Sequence, residues 1–218
     1  MPPGLDLSGA WLGDPAVAMS WLDGTPFFPA DPGDEWIGSL ATALAVIHRA
    51  PVPAAPVEQP HRLLAALRSP TVRDRRLQRI ATAVEDLFAQ PDGDVVFSHG
   101  DYHPGNVLFR DGRVTGVVDW FDAGPRSRAS DVAYCRGVLA VHPAGDVPDR
   151  FLRAYESETG RPLRCDRWDA LWAARGFLGA RGRWPAALAS LGVMITGIEI
   201  EQRSAMWAEA ALGRLERG

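Results

Sequence analysis

The stretch from Val95 to Gly124 sets what this chain can become. Val95-Val96-Phe97 is a short apolar run of strand type, and Ser98-His99-Gly100-Asp101 follows it. A turn at Pro104-Gly105 leads to Asn106, five residues after Asp101, and then to a second apolar run, Val107-Leu108-Phe109. Asp111-Gly112 is a hairpin signal between that run and a return strand, Val114–Val118, which ends on Asp119. The open ends of an antiparallel pair lie side by side. The spacing therefore brings Asp101, Asn106 and Asp119 to one place. Two carboxylates and a carboxamide are hard oxygen donors of the kind Mg²⁺ takes, with phosphate and water completing its shell. Ordinary turn residues are the bland alternative, but turn chemistry does not demand the joint spacing.

This order and spacing resembles the catalytic loop and metal-binding strand of the protein-kinase-like fold. There His-Arg-Asp is followed by Asn five residues after the Asp, and by a metal-binding Asp after the next hairpin. Gly100 stands here in place of the Arg, and Asp119-Trp120-Phe121 in place of Asp-Phe-Gly. His99-Gly100-Asp101 with Asn106, then Val117-Val118-Asp119-Trp120, is similar to the aminoglycoside phosphotransferase and choline kinase branch. So is Asp131-Val132-Ala133, an Asp-x-Ala that opens the next helix. The resemblance implies that Asp101 is the catalytic base, accepting the proton of an attacking hydroxyl. It implies that Asn106 and Asp119 hold Mg²⁺ on the phosphates of ATP. His99 and Asp131 are then structural supports of the site, Asp131 also capping its helix. His103 reads as loop packing. Asp122 reads as a turn carboxylate or as a group that orients substrate.

Upstream, residues 16–22 form a strand-like run, and Asp23-Gly24-Thr25-Pro26 turns the chain. In the resembled family a Met-x-Trp-Leu-x-Gly strand is the hinge between lobes, with its backbone against adenine. Met19, Ser20, Trp21 and Leu22 are therefore nucleotide-binding candidates, and a buried edge strand is the equal alternative. Residues 1–15 read as loop; Gly4, Gly9 and Gly13 are too scattered for a phosphate cradle, and no clear strand–loop–strand frames them. All 23 basic residues are Arg. The Lys that steadies the α- and β-phosphates in that fold is thus missing. The expected fold class is α+β and mainly helical: the C-terminal lobe of a protein-kinase-like fold with a small catalytic β-hairpin, its N-terminal lobe largely absent. Residues 1–25 are expected to be a remnant of the N-lobe and hinge strand, and residues 26–218 the helical lobe with the catalytic and metal-binding loops. A partner chain or a missing N-terminal segment is the expected source of the small lobe.

Helical spacing marks residues 34–49, with Ile37, Leu40, Ala41, Leu44 and Ile47 on one face, Asp31 or Asp34 as cap, and a structural His48 at the end. Four prolines make residues 51–60 a stiff connection. Further helices are expected over 61–69, 72–89, 130–141, 147–158, 166–183 and 184–215, the last kinked at Gly192 and Gly197. The tryptophans read first as core. By the resemblance, in which C-terminal helices wall the acceptor pocket, Trp168, Trp184, Glu199 and Glu201 are substrate-side candidates.

No apolar run reaches the length of a membrane span, and the start shows neither a basic flank nor a signal-peptide core. A cytoplasmic protein with no membrane partner is expected, and Cys135 and Cys165 read as reduced core residues. No basic stripe of the kind nucleic acid requires is present. Residues 132–218 hold 12 basic and 10 acidic side chains. That balance weakens the case for a polycationic acceptor and leaves a neutral or anionic hydroxyl compound equally open. The function implied is an ATP- and Mg²⁺-dependent phosphotransferase moving the γ-phosphate to a hydroxyl of a small molecule. The alternative is a non-catalytic or partner-dependent binding module on an incomplete kinase lobe. A metal-dependent hydrolase fits the spacing less well.

Overall fold

The computed structural model describes residues 4–6, 8–14, 16–18, 20–57, 61–69, 73–85, 94–180, 182 and 184–217. Among these, seven short strands make three small sheets and eight α-helices supply most of the core. The fold is α+β and mainly helical, as the sequence implies.

The hairpin at the centre of the sequence forms. Strands β5 (Val107–Arg110) and β6 (Arg113–Val117) pair antiparallel, with Val107 opposite Val117 and a register shift between Leu108 and Phe109. Asp111 and Gly112 take φ of 52° and 76°, the two left-handed residues that a tight hairpin turn needs. β3 (Thr25–Pro26) joins the free edge of β5, Thr25 opposite Phe109. Pro26 is tolerated there because an edge strand has no second neighbour to donate to. β4 (Val95–Ser98) pairs with β7 (Gly124–Ser127), a strand in a stretch the sequence presents as loop. Its Gly-Pro opening hides it from strand patterning. The pairing matters for function: it closes the segment from His99 to Ala123 at its base, so both open ends of the hairpin are anchored.

The first 15 residues are not all loop. β1 (Gly4–Asp6) pairs with β2 (Ala16–Ala18), so a strand–loop–strand does frame Gly9 and Gly13. The Asp6 carboxylate holds the loop by accepting from the N–H of Ser8 at 2.9 Å and of Trp11 at 2.7 Å. Three-residue strands are too short to show an alternation. The expected strand over 16–22 accordingly stops at Ala18, and Ser20–Leu22 carry no strand pairing.

Of the helices, α1 (Asp34–His48), α2 (His61–Leu67) and α3 (Arg75–Ala83) precede the hairpin, and α4 (Arg128–Val141), α5 (Val147–Thr159), α6 (Asp166–Ala180), α7 (Trp184–Ser190) and α8 (Gly197–Leu215) follow it. Neither Asp31 nor Asp34 caps α1. Its N-cap is Gly33, and the acids of its first turn, Asp34 and Glu35, face the positive end of the helix dipole. α3 starts later than expected because the Asp74 side chain accepts from the N–H of Arg76 at 2.8 Å. Leu87 and Phe88 lie outside the described residues. The expected single helix over 184–215 is two, because Thr196 and Glu199 form a reciprocal capping box that starts α8 afresh.

Nearly every residue of α4 is buried, the mark of a helix enclosed on all sides. It packs between α5 and α6, with α8 against α6 and α1 against α5. Arg136 of α4 and Arg214 of α8 both bind the buried Asp169 of α6, at 2.9 Å and 2.8 Å. Burial pushes the Asp169 carboxyl up to about 6 against the pull of both guanidinium groups. A smaller apolar cluster gathers Tyr134, Val138 and Val141 of α4 with Leu188, Val193 and Ile200. Cys135 and Cys165 are buried free thiols. Among the described residues, no helix is long and apolar enough to cross a membrane.

Candidate active site

The backbone of the His99–Asp101 loop is fixed from below by one carboxylate. Asp131 accepts from the N–H of His99 at 2.9 Å and of Gly100 at 3.0 Å. It sits in the first turn of α4 but does not cap it, since the N-cap residue is Ser127. Its side chain is spent on the loop instead. His48 at the end of α1 adds a third bond, Nε2 to Asp131 Oδ2 at 3.2 Å, with its Nδ1 on the Tyr155 hydroxyl at 2.7 Å and Arg128 donating to that hydroxyl at 3.0 Å. The Tyr155 hydroxyl accepts from Arg128, and the Asp131 carboxylate accepts from His48 Nε2. Burial pushes the Asp131 carboxyl up, but the bonds from His48 and from the loop backbone leave it below its ordinary value.

His99 is fully buried and joins the two ends of the hairpin. Its Nδ1 accepts from the N–H of Asp101 at 3.3 Å, so the proton lies on Nε2, which donates to the Val118 carbonyl at 2.9 Å. The Val118 N–H in turn donates to the Asn106 carbonyl at 2.9 Å. Trp120 lies over the His99 ring, 4.7 Å between centroids. Asp119, next to Val118, is exposed and left-handed, with φ 63° and ψ 59°.

Gly100 explains the replacement of Arg in the loop. Its φ is +83°, and a Cβ there would lie 2.9 Å from both the carbonyl carbon and the Cβ of Asp122, and closer still to the carbonyl oxygen. A side chain is excluded by conformation and by space.

The Asn106 carboxamide nitrogen donates to the Asp101 carbonyl at 2.9 Å and to Asp101 Oδ2 at 3.2 Å. That leaves its oxygen as the end available to a cation. Asp101 Oδ1 is buried without a hydrogen-bond partner, and the Arg175 guanidinium lies 3.6 Å from it. His103 accepts from the N–H of Gly105 through Nδ1 at 3.0 Å and presents Nε2 to Asp101 Oδ2 at 3.8 Å. Burial holds the His103 imidazole below its ordinary value, against the nearby Asp101 charge. Beside Asp101 opens a cavity of about 170 Å³, walled by α4, α6 and α7.

The structure thus joins Asp101, Asn106 and His99 by hydrogen bonds to one another and to Val118, the neighbour of Asp119 in the chain, and it sets Trp184 in the cavity wall. Asp122 is exposed, and its carbonyl packs on Gly100 and accepts from Arg126 at 2.8 Å. Trp168 is 4% exposed in the main core, away from the cavity lining. Its substrate-side candidacy is withdrawn, because α6 turns it inward among apolar neighbours. Glu199 is committed to Thr196, and Glu201 acts on the Arg76 charge rather than on the cavity. Met19 lies outside the described residues; Ser20 and Trp21 are exposed and Leu22 partly buried. Arg175, Tyr134 and Leu188 line the cavity with no sequence signal of their own. They come from separate helices, and only the packing of α4, α6 and α7 unites them.

Among the described residues, no three His, Cys, Asp or Glu side chains converge as a metal site. The candidate donors are one carboxamide and one carboxylate. That set suits Mg²⁺, which uses one or two protein oxygens and takes the rest from phosphate and water.

The sequence pattern described as the phosphotransferase enzyme family, APH, matches residues 3–170. A homoserine kinase of Beijerinckia indica is 32% identical over 149 residues, 62% of this chain and 45% of that protein. An aminoglycoside 3'-phosphotransferase of Enterococcus faecalis is 37% identical over 46 residues, 21% of this chain and 17% of that protein. The chain therefore matches less than half the length of these curated relatives. A solved structure from Ralstonia eutropha, described as a candidate aminoglycoside phosphotransferase, superimposes with a TM-score of 0.69 at 18% identity, covering 98% of this chain and 77% of that one.

Proposed function

This chain belongs to the phosphotransferase enzyme family, and from that premise we propose that it moves the γ-phosphate of ATP to a hydroxyl of a small molecule, in the cytoplasm, with Asp101 as base and Asn106 and Asp119 as Mg²⁺ ligands. One observation carries the reading: the Asp101 carboxylate lines the cavity, its Oδ1 buried beside the Arg175 guanidinium at 3.6 Å. The other oxygen, Oδ2, is tied to Asn106, so base and metal ligand are positioned by one bond. Bound at Asn106 and Asp119, Mg²⁺ would draw charge off the phosphates.

The Asp101 carboxylate accepts the hydroxyl proton as the hydroxyl oxygen turns toward phosphorus. Phosphoryl transfer depends more on positioning than on covalent chemistry. His99 and Asp131 therefore serve by holding the loop, not by proton transfer. Residues 1–25, with β1 and β2, are read as the part of the small lobe and hinge carried by this chain, and residues 26–218 as the large lobe. Ser20 to Leu22 fit an adenine contact, since Trp21 is 91% exposed and its neighbours leave their backbone outside any strand.

A second reading, a partner-dependent binding module, draws on the absence of Lys from all 218 residues. The cation that steadies the α- and β-phosphates is then an Arg or comes from another chain. The two readings part in one assay, ADP formation by the purified chain with Mg²⁺, ATP and a panel of small hydroxyl compounds. Turnover by the chain alone supports the enzyme. D101A is expected to lower it at least about a hundredfold, the range of general-base catalysis, while leaving Mg·ATP binding in place. Near-normal transfer by D101A removes Asp101 from the base role.

A further inference from the structure

Phosphoryl chemistry uses only one end of the cavity beside Asp101. The rest of its lining is a chemical description of what enters. Val138, Val141 and Leu188 are buried and apolar, and Trp184 adds a half-buried ring. A wall of this kind binds hydrocarbon and offers no partner to a polyhydroxylated or polyamino ring. The volume is about 170 Å³. That is well under the few hundred Å³ and more of pockets for drug-sized ligands.

The charges point the same way. The polar end holds the Asp101 carboxylate, the Arg175 guanidinium and the His103 imidazole. The Tyr134 phenol is pushed up by burial and stays neutral. Arg175 stacks on the Tyr134 ring at 4.7 Å and lies 3.6 Å from Asp101 Oδ1, with 37% of its side chain exposed. A guanidinium carries five donors. The ion pair with one oxygen of Asp101 leaves others for a ligand. On the Arg175 side an ammonium group would meet a like charge and a carboxylate a fork that fits it; Asp101, of opposite sign and already paired with Arg175, faces the hydroxyl.

We infer that the cavity takes a small apolar hydroxy acid, its hydroxyl on the Asp101 carboxylate, its carboxylate on Arg175 and its hydrocarbon body on Val138 and Leu188. Because the Asp101 carboxylate and the guanidinium are 3.6 Å apart, hydroxyl and carboxylate sit on the same carbon or on adjacent carbons. An alpha- or beta-hydroxy acid meets that condition. Arg175 is then the residue that sets acceptor specificity. The inference deepens the phosphotransferase reading and rests on it for the fate of the hydroxyl, but binding is testable without nucleotide.

The test is calorimetric titration of the full chain, without ATP, with leucic acid, its methyl ester and leucinol. These probes share an isobutyl body and a hydroxyl, secondary in the acid and its ester and primary in leucinol, and differ in charge: anion, neutral, cation. Leucic acid is expected to bind about tenfold or more tightly than the other two, the value of a hydrogen bond to a charged group. R175M is expected to erase the difference and R175E to reverse it, each with an unchanged melting shift from Mg·ATP. Leucinol binding as tightly as the acid, a preference that survives in R175M, or no binding of any probe at about 10 mM, a free energy under about 3 kcal/mol, overturns the inference. Acid binding that follows this pattern without any ADP formation would keep the inference and sink the phosphotransferase reading. ADP formation that favours amino alcohols would do the opposite.

Discussion

Gly100 gives the sharpest test of the loop geometry, because its substitution can be worked out and a matched control exists. Gly100 and Gly112 share a left-handed φ, +83° and +76°. At Gly112 a new Cβ meets nothing within 4 Å, whereas at Gly100 it meets two Asp122 carbons at 2.9 Å. The conformational cost of a left-handed Ala is about 1–2 kcal/mol, offset by ~0.4–1 kcal/mol of reduced unfolded-state freedom. G112A should therefore lose about 1 kcal/mol. G100A carries the same cost plus overpacking of about 1–3 kcal/mol, for a total of roughly 2–4 kcal/mol. With about 2–4 °C lost per kcal/mol in a chain of this size, thermal melts should fall by about 2–4 °C for G112A and about 4–16 °C for G100A. The clash also displaces the Asp122 segment by at least about 0.6 Å, the shift that restores ordinary carbon–carbon contact, since its carbonyl oxygen lies closer still. Asp119 is three residues away. Since a 1 Å misplacement can cost a hundredfold, ADP formation by G100A should drop about tenfold or more, and that of G112A should not change. Equal melts and equal turnover for the two variants would refute the packing of Asp122 on Gly100.

D131A strands three buried donors, the N–H groups of His99 and Gly100 and His48 Nε2. It should cost about 3–5 kcal/mol, as breaking a buried pair does, read as a fall in denaturant midpoint at constant slope. The folded Asp131 carboxyl is held below its ordinary value, and the unfolded one titrates near ~3.9. Its contribution is thus fully present above about pH 4 and lost as pH falls through the lowered folded value. D131N should flatten the acid limb of a stability–pH curve, and an unchanged limb would assign acid lability elsewhere. The two tryptophans should separate: W168A should cost about 3–5 kcal/mol as a core truncation, while W184A should mainly raise the KM for acceptor.

The hairpin and its charged ends were legible because their information is local. Asp111-Gly112 fixes the turn, and the distances along the chain from Asp101 to Asn106 and Asp119 fix which ends meet. His48 was legible as structural for the same reason, at the end of a clean helical period. What escaped is non-local. β7 is recognisable only by its pairing with β4. Asp131 looks like a helix cap in sequence, and only the loop lying over α4 shows where its oxygens go. Trp168 and Trp184 look alike as letters, yet one faces the core and the other the cavity. Arg175 has no motif at all; its meaning lies in a 3.6 Å approach to a residue 74 positions earlier in the chain.

The most direct test of the site is a thermal-melt titration of the full chain with ATP, with and without Mg²⁺, for the wild type, N106A and D119A. A ligand that binds only the folded state adds about 2.7 kcal/mol at a hundredfold excess over its dissociation constant. For a chain of this length that corresponds to about 5–11 °C. The expected result is a Mg²⁺-dependent rise of this order in the wild type, much reduced in both variants. An equal rise in wild type and variants, or a rise without Mg²⁺, would contradict the assignment of Asn106 and Asp119 as the metal ligands on the nucleotide.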